Sequence, residues 1–197
     1  MTDIKSAREI AEEKLARLGE ATEEERLEWK YVPAGRELAV RYLKGDANLL
    51  AEVSRYSERE RPVVTRAAVE VLARNIDLPR HEAARNTTRR AMEGIKLLKQ
   101  DKASVENVFS RLRQIMNHYS QQGEQQRRQA REQLKAQFEE RVRQAMQQQL
   151  GMVANRMRVD VERLPQFQEE WRRLERQLEA PYNGHLEEIR RELQSIP

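Results

Sequence analysis

The chain has 197 residues, of which 38% are hydrophobic and 36% are charged, and its net charge is +4 at pH 7. It contains no cysteine, which excludes disulfides, thiolate zinc sites, iron–sulfur clusters and cysteine nucleophiles. The length is enough to bury a core without such staples, while the high charge predicts elements with much of their surface in water. No stretch approaches the roughly 18 apolar residues of a membrane span. We therefore expect a cytoplasmic protein with no membrane segment.

Most apolar residues recur at the spacing of an amphipathic helix, and strand signals are almost missing. The fold class is therefore predicted to be all-α. We expect a compact bundle of short helices followed by long amphipathic helices, arranged as a helical hairpin or a short coiled coil. Asp77-Leu78-Pro79 interrupts the pattern, so residues 1–77 are assigned to an N-terminal helical bundle and residues 78–197 to a long-helix C-terminal region.

Caps and prolines predict where individual helices begin and end. A first helix is predicted over 3–18. Thr22 followed by Glu25 is typical of a capping box at the start of a second helix. Pro33 predicts a break or kink in that helix, and Pro181 predicts that the last helix of the chain is separate from the one before it.

An apolar seam follows in the C-terminal region. Its members first step by three and four residues, which is the spacing of a helix that packs along a partner helix. Because this run is short for a coiled coil, a hairpin with the preceding helix is an equal alternative. The predicted seam, for packing or for oligomer contacts, consists of Val105, Val108, Leu112, Ile115, Tyr119, Leu134, Phe138 and Val142.

Enzyme motifs are missing from the sequence. It has no glycine-rich phosphate loop, no nucleophile elbow and no zinc-protease helix. His81, His118 and His185 lie far apart, and no glutamate stands three residues before a histidine as it does in di-iron bundles. We therefore predict no catalytic residue, no metal site, no cofactor and no small-molecule substrate. The alternative is an enzyme whose two catalytic carboxylates are distant in sequence and are brought together only by the fold.

The positive charge is concentrated in residues 80–120, which carry nine basic and four acidic side chains, a net charge of +5. Several of these cations fall on one side of a predicted helix, and they form the candidate binding surface. This basic stripe consists of Arg85, Arg89, Arg90, Lys96, Lys99 and Lys102. A phosphate backbone of RNA or DNA would bind it with strong salt dependence, and an acidic protein surface is an equal alternative. The third interpretation is an ordinary solvated helix face.

The runs IKSAREIAEEKLARLG and GRELAVRYLKGDANLL lie within the first 50 residues and resemble the openings of uncharacterised bacterial all-helical proteins of about this length. The resemblance implies a bacterial, cytoplasmic helical protein and supplies no catalytic residues. The residues themselves favour a non-enzymatic protein-interaction or scaffold protein that assembles with itself or with another protein through the seam. The alternative is a nucleic-acid- or ribosome-associated protein that binds through the basic stripe.

Overall fold

The computed structural model describes residues 21–150 and 159–197. This part of the chain is helical and contains no strand, which confirms the all-α prediction. A π-helical turn (Tyr119–Gly123) and a 3₁₀ turn (Val161–Arg163) accompany the α-helices. The helices are α1 (Glu23–Lys44), α2 (Leu49–Val53), α3 (Arg61–Arg74), α4 (Glu82–Leu98), α5 (Lys102–His118), α6 (Glu124–Leu150) and α7 (Pro165–Ser195). The helix predicted over 3–18 lies outside the described residues.

The chain divides into two compact units. Within the described ranges, the first unit comprises residues 21–76, 86–105 and 193–197, and the second comprises 77–85, 106–150 and 159–192. Both units take residues from the region 78–197, and the division of the chain at residue 77 stays a prediction.

Caps fix both ends of α1 in the first unit. The Thr22 hydroxyl accepts a hydrogen bond from the Glu25 backbone N–H at 3.2 Å, and the Thr22 N–H donates to the Glu25 carboxylate at 2.8 Å. The predicted capping box is therefore confirmed. At the other end Gly45 adopts φ 100°, a left-handed conformation that favours glycine, and its N–H reaches the last turn of the helix.

α1 packs along α3 at a glycine. A Cβ atom on Gly35 would lie 2.4 Å from the Val64 carbonyl oxygen and 2.8 Å from the Ala67 Cβ, so the two helices approach more closely than a side chain here would permit. Contacts with α3 lie on both sides of Pro33, since Glu28 forms an ion pair with Arg66 at 2.7 Å and Gly35 lies against Val64, and α1 is continuous through the proline. The predicted break at Pro33 is therefore wrong, because tertiary contact outweighs the missing N–H, while the alternative of a kink at Pro33 stays a prediction.

In the second unit α6 and α7 meet in an apolar cluster around two aromatic rings. Phe138 and Phe167 pack edge to face, with their ring centroids 5.4 Å apart. Val142, Leu164 and Trp171 are partly buried against the cluster. Its buried members are Leu134, Phe138, Val161 and Phe167.

α7 continues through Pro181, so the prediction of a separate last helix is also wrong. The Tyr182 ring meets the Tyr119 ring edge to face at 5.2 Å, and Leu186 and Ile189 are buried one and two turns later. A proline inside a helix costs about 3 kcal/mol. Packing on both sides of Pro181 offsets this cost and keeps the helix in one piece.

None of the helices in residues 21–150 and 159–197 combines the length and the apolar character that crossing a bilayer requires. α6 illustrates the reason, because charged and glutamine side chains make up most of its 27 residues.

Candidate binding surfaces

The predicted seam lies inside the folded chain. Six of its eight members have an exposed fraction of 8% or less, and the other two are half-buried. The seam residues therefore pack within the chain itself. Contact with a second molecule through them stays a prediction, and it would require these side chains to become exposed. The buried members are Val105, Val108, Leu112, Tyr119, Leu134 and Phe138, and the half-buried members are Ile115 and Val142.

Two lysines of the basic stripe donate hydrogen bonds to backbone carbonyl oxygens at helix ends. Lys99 is 8% exposed, and its Nζ donates to the carbonyl oxygens of Gln194, at 3.1 Å, and of Ile196. Burial lowers the pKa of the Lys99 ammonium. Lys102 Nζ donates to the carbonyl oxygen of Leu97 at 3.1 Å and so caps the end of α4. Both ammonium groups are therefore hydrogen-bonded to carbonyl oxygens of their own unit.

A third member of the basic stripe also serves the fold. Arg90 Nε donates to the Tyr42 carbonyl oxygen at 2.6 Å, and its guanidinium lies 5.0 Å from the centroid of the Tyr42 ring. Arg85, Arg89 and Lys96 are exposed. Lys102 is exposed as well, so four of the six residues of the basic stripe are exposed, and the ammonium group of one of these four, Lys102, is bonded to backbone carbonyl oxygens. Binding of nucleic acid or of an acidic protein through them stays a prediction.

An ion pair that no sequence pattern indicates lies in the second unit. Arg80 donates to the carboxylate of Glu179 through Nε and Nη2 at 2.8 to 3.2 Å. The Tyr119 hydroxyl donates to the same carboxylate at 2.5 Å, and Arg80 also reaches Asp77 at 3.0 Å. Glu179 is 8% exposed, and a glutamate is almost never so buried unless it is paired. The partners are 99 positions apart, so spacing gives no signal of the pair.

Burial and hydrogen bonding act together on the pKa values of this cluster. Burial by itself would raise the pKa of Glu179, but the hydrogen bonds from Arg80 and Tyr119 lower it below its ordinary value. Burial, and then the bond to Glu179, raise the pKa of Tyr119 to about 12. The bond to Glu179 raises the pKa of Arg80. At neutral pH the cluster therefore holds a carboxylate, a guanidinium and a neutral phenol.

We expect Tyr119 to make the stability of the chain fall in alkaline solution. An unfolded tyrosine has a pKa of about 10, whereas the folded pKa is about 12. Tyr119 therefore contributes fully below pH 10, and its contribution is lost as the pH rises through 12, because the unfolded chain gives up the proton first. Urea unfolding at a series of pH values should show a steeper alkaline loss for the unmodified chain than for Tyr119→Phe. Parallel curves would contradict the raised pKa.

A cavity of about 460 Å³ opens beside this ion pair in the second unit. Arg127 lines this cavity, with its guanidinium 4.0 Å from the centroid of the Tyr119 ring and its Nη2 donating to the Tyr119 carbonyl oxygen at 3.3 Å. Arg85, Glu124 and Glu175 also line the cavity. π-helical turns such as the one at this cavity are frequent at functional sites. Of these residues, only Arg85 and Tyr119 were singled out by spacing, because the lining comes from separate segments of the chain.

A second cavity in the same unit, of about 600 Å³, is lined by residues of α5, α6 and α7. Ile115 and Leu178 give it an apolar part. His118 Nδ1 forms a hydrogen bond with the Tyr182 hydroxyl at 2.8 Å. The half-buried seam residue Ile115 is thus placed in the wall of this cavity.

An apolar face of α1 is exposed in the first unit. Trp29 is 51% exposed and Val40 is 42% exposed, while Pro33 and Arg36 between them are also exposed. These four residues follow each other by steps of four, three and four, so they lie on one side of the helix and are called the α1 face. Arg36 forms an ion pair with Glu70 at 3.3 Å. Tryptophan is enriched among the residues that dominate binding energy at protein interfaces.

Residues 50–195 match the model of a family whose description is Family of unknown function (DUF6657). No curated protein and no solved structure matches the chain. The match covers well over half of the chain, and it begins at the end of the two runs that resemble uncharacterised proteins.

Proposed function

We propose that this chain, which belongs to the family of unknown function DUF6657, is a non-enzymatic helical interaction protein that assembles with a second copy of itself through the α1 face. The 51% exposure of Trp29 is the observation that carries the proposal. A cytoplasmic location and a bacterial source belong to the same proposal, and they rest on the resemblance within the first 50 residues.

The distribution of charge along α1 favours an antiparallel pair of helices. Residues 23–33 carry four acidic and two basic side chains, whereas residues 34–44 carry three basic and one acidic. Two copies that run in opposite directions place the acidic half of one helix beside the basic half of the other. Two parallel copies would place like charges together, which costs free energy. Charge complementarity therefore supports a second copy as the occupant of the α1 face.

A two-fold axis midway between Trp29 and Val40 gives this pair a definite register. Trp29 then lies opposite Val40 of the second copy, so that the indole packs on an aliphatic side chain. In the same register Glu25 lies opposite Lys44 of the second copy, at each end of the contact. Such an isologous contact closes after two copies and does not propagate into a filament.

The length of α1 predicts that the association is weak. At about 1.5 Å per residue the helix is roughly 33 Å long. A contact along one face of a helix of this length buries less than the roughly 800 Å² per partner of a standard interface. We therefore expect a dissociation constant on the order of 10 to 100 μM, which corresponds to a transient assembly.

Sedimentation velocity over a range from about 5 to about 500 μM tests the proposal. The unmodified chain should sediment faster as its concentration rises, while Trp29→Glu should remain a monomer because it places a charge against the aliphatic side chain of Val40 of the second copy. Leu50→Glu is the matched control, since Leu50 has the same 51% exposure but lies on α2, outside the α1 face. An unmodified chain that stays monomeric throughout, or a Trp29→Glu variant that still associates, would falsify the proposal.

A further inference from the structure

The wall of the 460 Å³ cavity is fixed and electrically balanced. Arg80 and Glu179 neutralise each other, and the Tyr119 hydroxyl completes the hydrogen bonding of the carboxylate. Because these groups satisfy one another, they shape the cavity without attracting a charged ligand. Recognition of a ligand therefore depends on the other charged side chains that line it.

Four of those side chains form no ion pair within 4.0 Å among residues 21–150 and 159–197: Arg85, Arg127, Glu124 and Glu175. Two are cations and two are anions, so the cavity is neutral as a whole but offers groups of both signs. The contacts of Arg127 with the ring and the carbonyl oxygen of Tyr119 hold its guanidinium in place. A group that is ordered before binding loses less freedom when a ligand arrives.

The mixture of charges selects the class of ligand. A guanidinium forms short, charge-assisted hydrogen bonds with a carboxylate, and a carboxylate accepts such bonds from an ammonium group. A phosphate would meet Arg85 and Arg127 but would be repelled by Glu124 and Glu175, and a diamine would face the opposite conflict. A molecule that carries one charge of each sign can pair with both the two arginines and the two glutamates.

We infer that this cavity binds a zwitterion of amino-acid size, with its carboxylate at Arg85 and Arg127 and its ammonium group at Glu124 and Glu175. The volume falls within the range of about 300 to 1,000 Å³ that is common for small-molecule pockets. Ser120, whose side chain is a hydroxyl, also lines the cavity, which favours a ligand with a polar side chain. This site lies in the second unit and is independent of the proposed assembly through α1.

The test measures binding to the full chain with individual L-amino acids as the probes, first by thermal unfolding at about 10 mM and then by calorimetry. Succinate, inorganic phosphate and putrescine serve as probes that carry charge of one sign. We expect at least one amino acid to raise the unfolding temperature and to bind more tightly than all three of these probes. Glu175→Gln and Arg127→Gln should each weaken that binding by at least about tenfold.

Matched controls come from neighbouring residues that do not line the cavity. Arg128→Gln on α6 and Glu169→Gln on α7 should bind the same amino acid as the unmodified chain does. Glu175→Gln removes a charge without removing an ion pair, so it keeps the test valid if Arg127→Gln weakens the fold. The inference is overturned if no amino acid binds, if a probe of one sign binds as tightly, or if Glu175→Gln binds unchanged. The sedimentation of the chain is measured separately, so either proposal can fail alone.

Discussion

Substitution of Glu179 by alanine is expected to lower the free energy of unfolding by about 3 kcal/mol. The change leaves Arg80 without its main partner and the buried Tyr119 hydroxyl without an acceptor. Breaking a fully buried pair costs about 3 to 5 kcal/mol. We expect a value near the lower end, because the Arg80 side chain is 37% exposed and keeps its contact with Asp77. Urea unfolding followed by circular dichroism measures the difference.

Two further variants show which part of this loss belongs to the ion pair. Tyr119→Phe removes one hydrogen bond and leaves the pair, so it should cost about 1 kcal/mol. Glu169→Ala removes an exposed glutamate from the same helix and should change the stability little. If Glu179→Ala were no more destabilising than Glu169→Ala, the pair would make no net contribution to the fold.

The second large effect is expected at the contact between α1 and α3. Gly35→Ala should lower the free energy of unfolding by about 2 kcal/mol. The added methyl would lie 2.4 Å from the Val64 carbonyl oxygen, and because this neighbour is backbone, the two helices must move apart. Overpacking typically costs about 1 to 3 kcal/mol, and the higher helix propensity of alanine offsets only part of this cost.

Gly184→Ala is the matched control for Gly35→Ala. Gly184 also lies inside a helix, but nothing lies within 4 Å of the position its Cβ would occupy. The same substitution should therefore stabilise the chain by up to about 1 kcal/mol through helix propensity alone. Equal effects at the two glycines would mean that α1 and α3 are not as close as the structure has them.

Local signals in the sequence predicted those features of the fold that depend on local physics. Thr22 and Glu25 form the expected capping box, since a cap needs only residues three apart. The helix breaks predicted at Pro33 and Pro181 are absent for the opposite reason. The cost of a proline is local, but the packing that offsets it, such as the approach of Gly35 to α3, comes from residues distant in sequence.

The surfaces were harder to predict than the fold. Helical spacing put Lys99 on the same side as Arg85, but α4 ends at Leu98, and the Lys99 side chain turns inward to carbonyl oxygens. The spacing of the seam residues predicted that they are buried. It did not predict what they pack against, because an apolar stripe does not show whether it packs within one molecule or between two. The pair of Arg80 and Glu179 joins residues 99 positions apart, and no local pattern marks either of them.

The π-helical turn between α5 and α6 has a consequence for the tolerance of this stretch to changes in length. Each residue of a helix advances the chain by about 100° around the axis, so the number of residues in Tyr119–Gly123 sets the rotational phase of everything after it. Gln121 and Gln122 are exposed, and either can change identity without touching a core. Loss of one of them would turn Leu134 and Phe138 away from Val161 and Phe167. At Gln121 and Gln122, therefore, the number of residues is under a stricter constraint than the identity of their side chains.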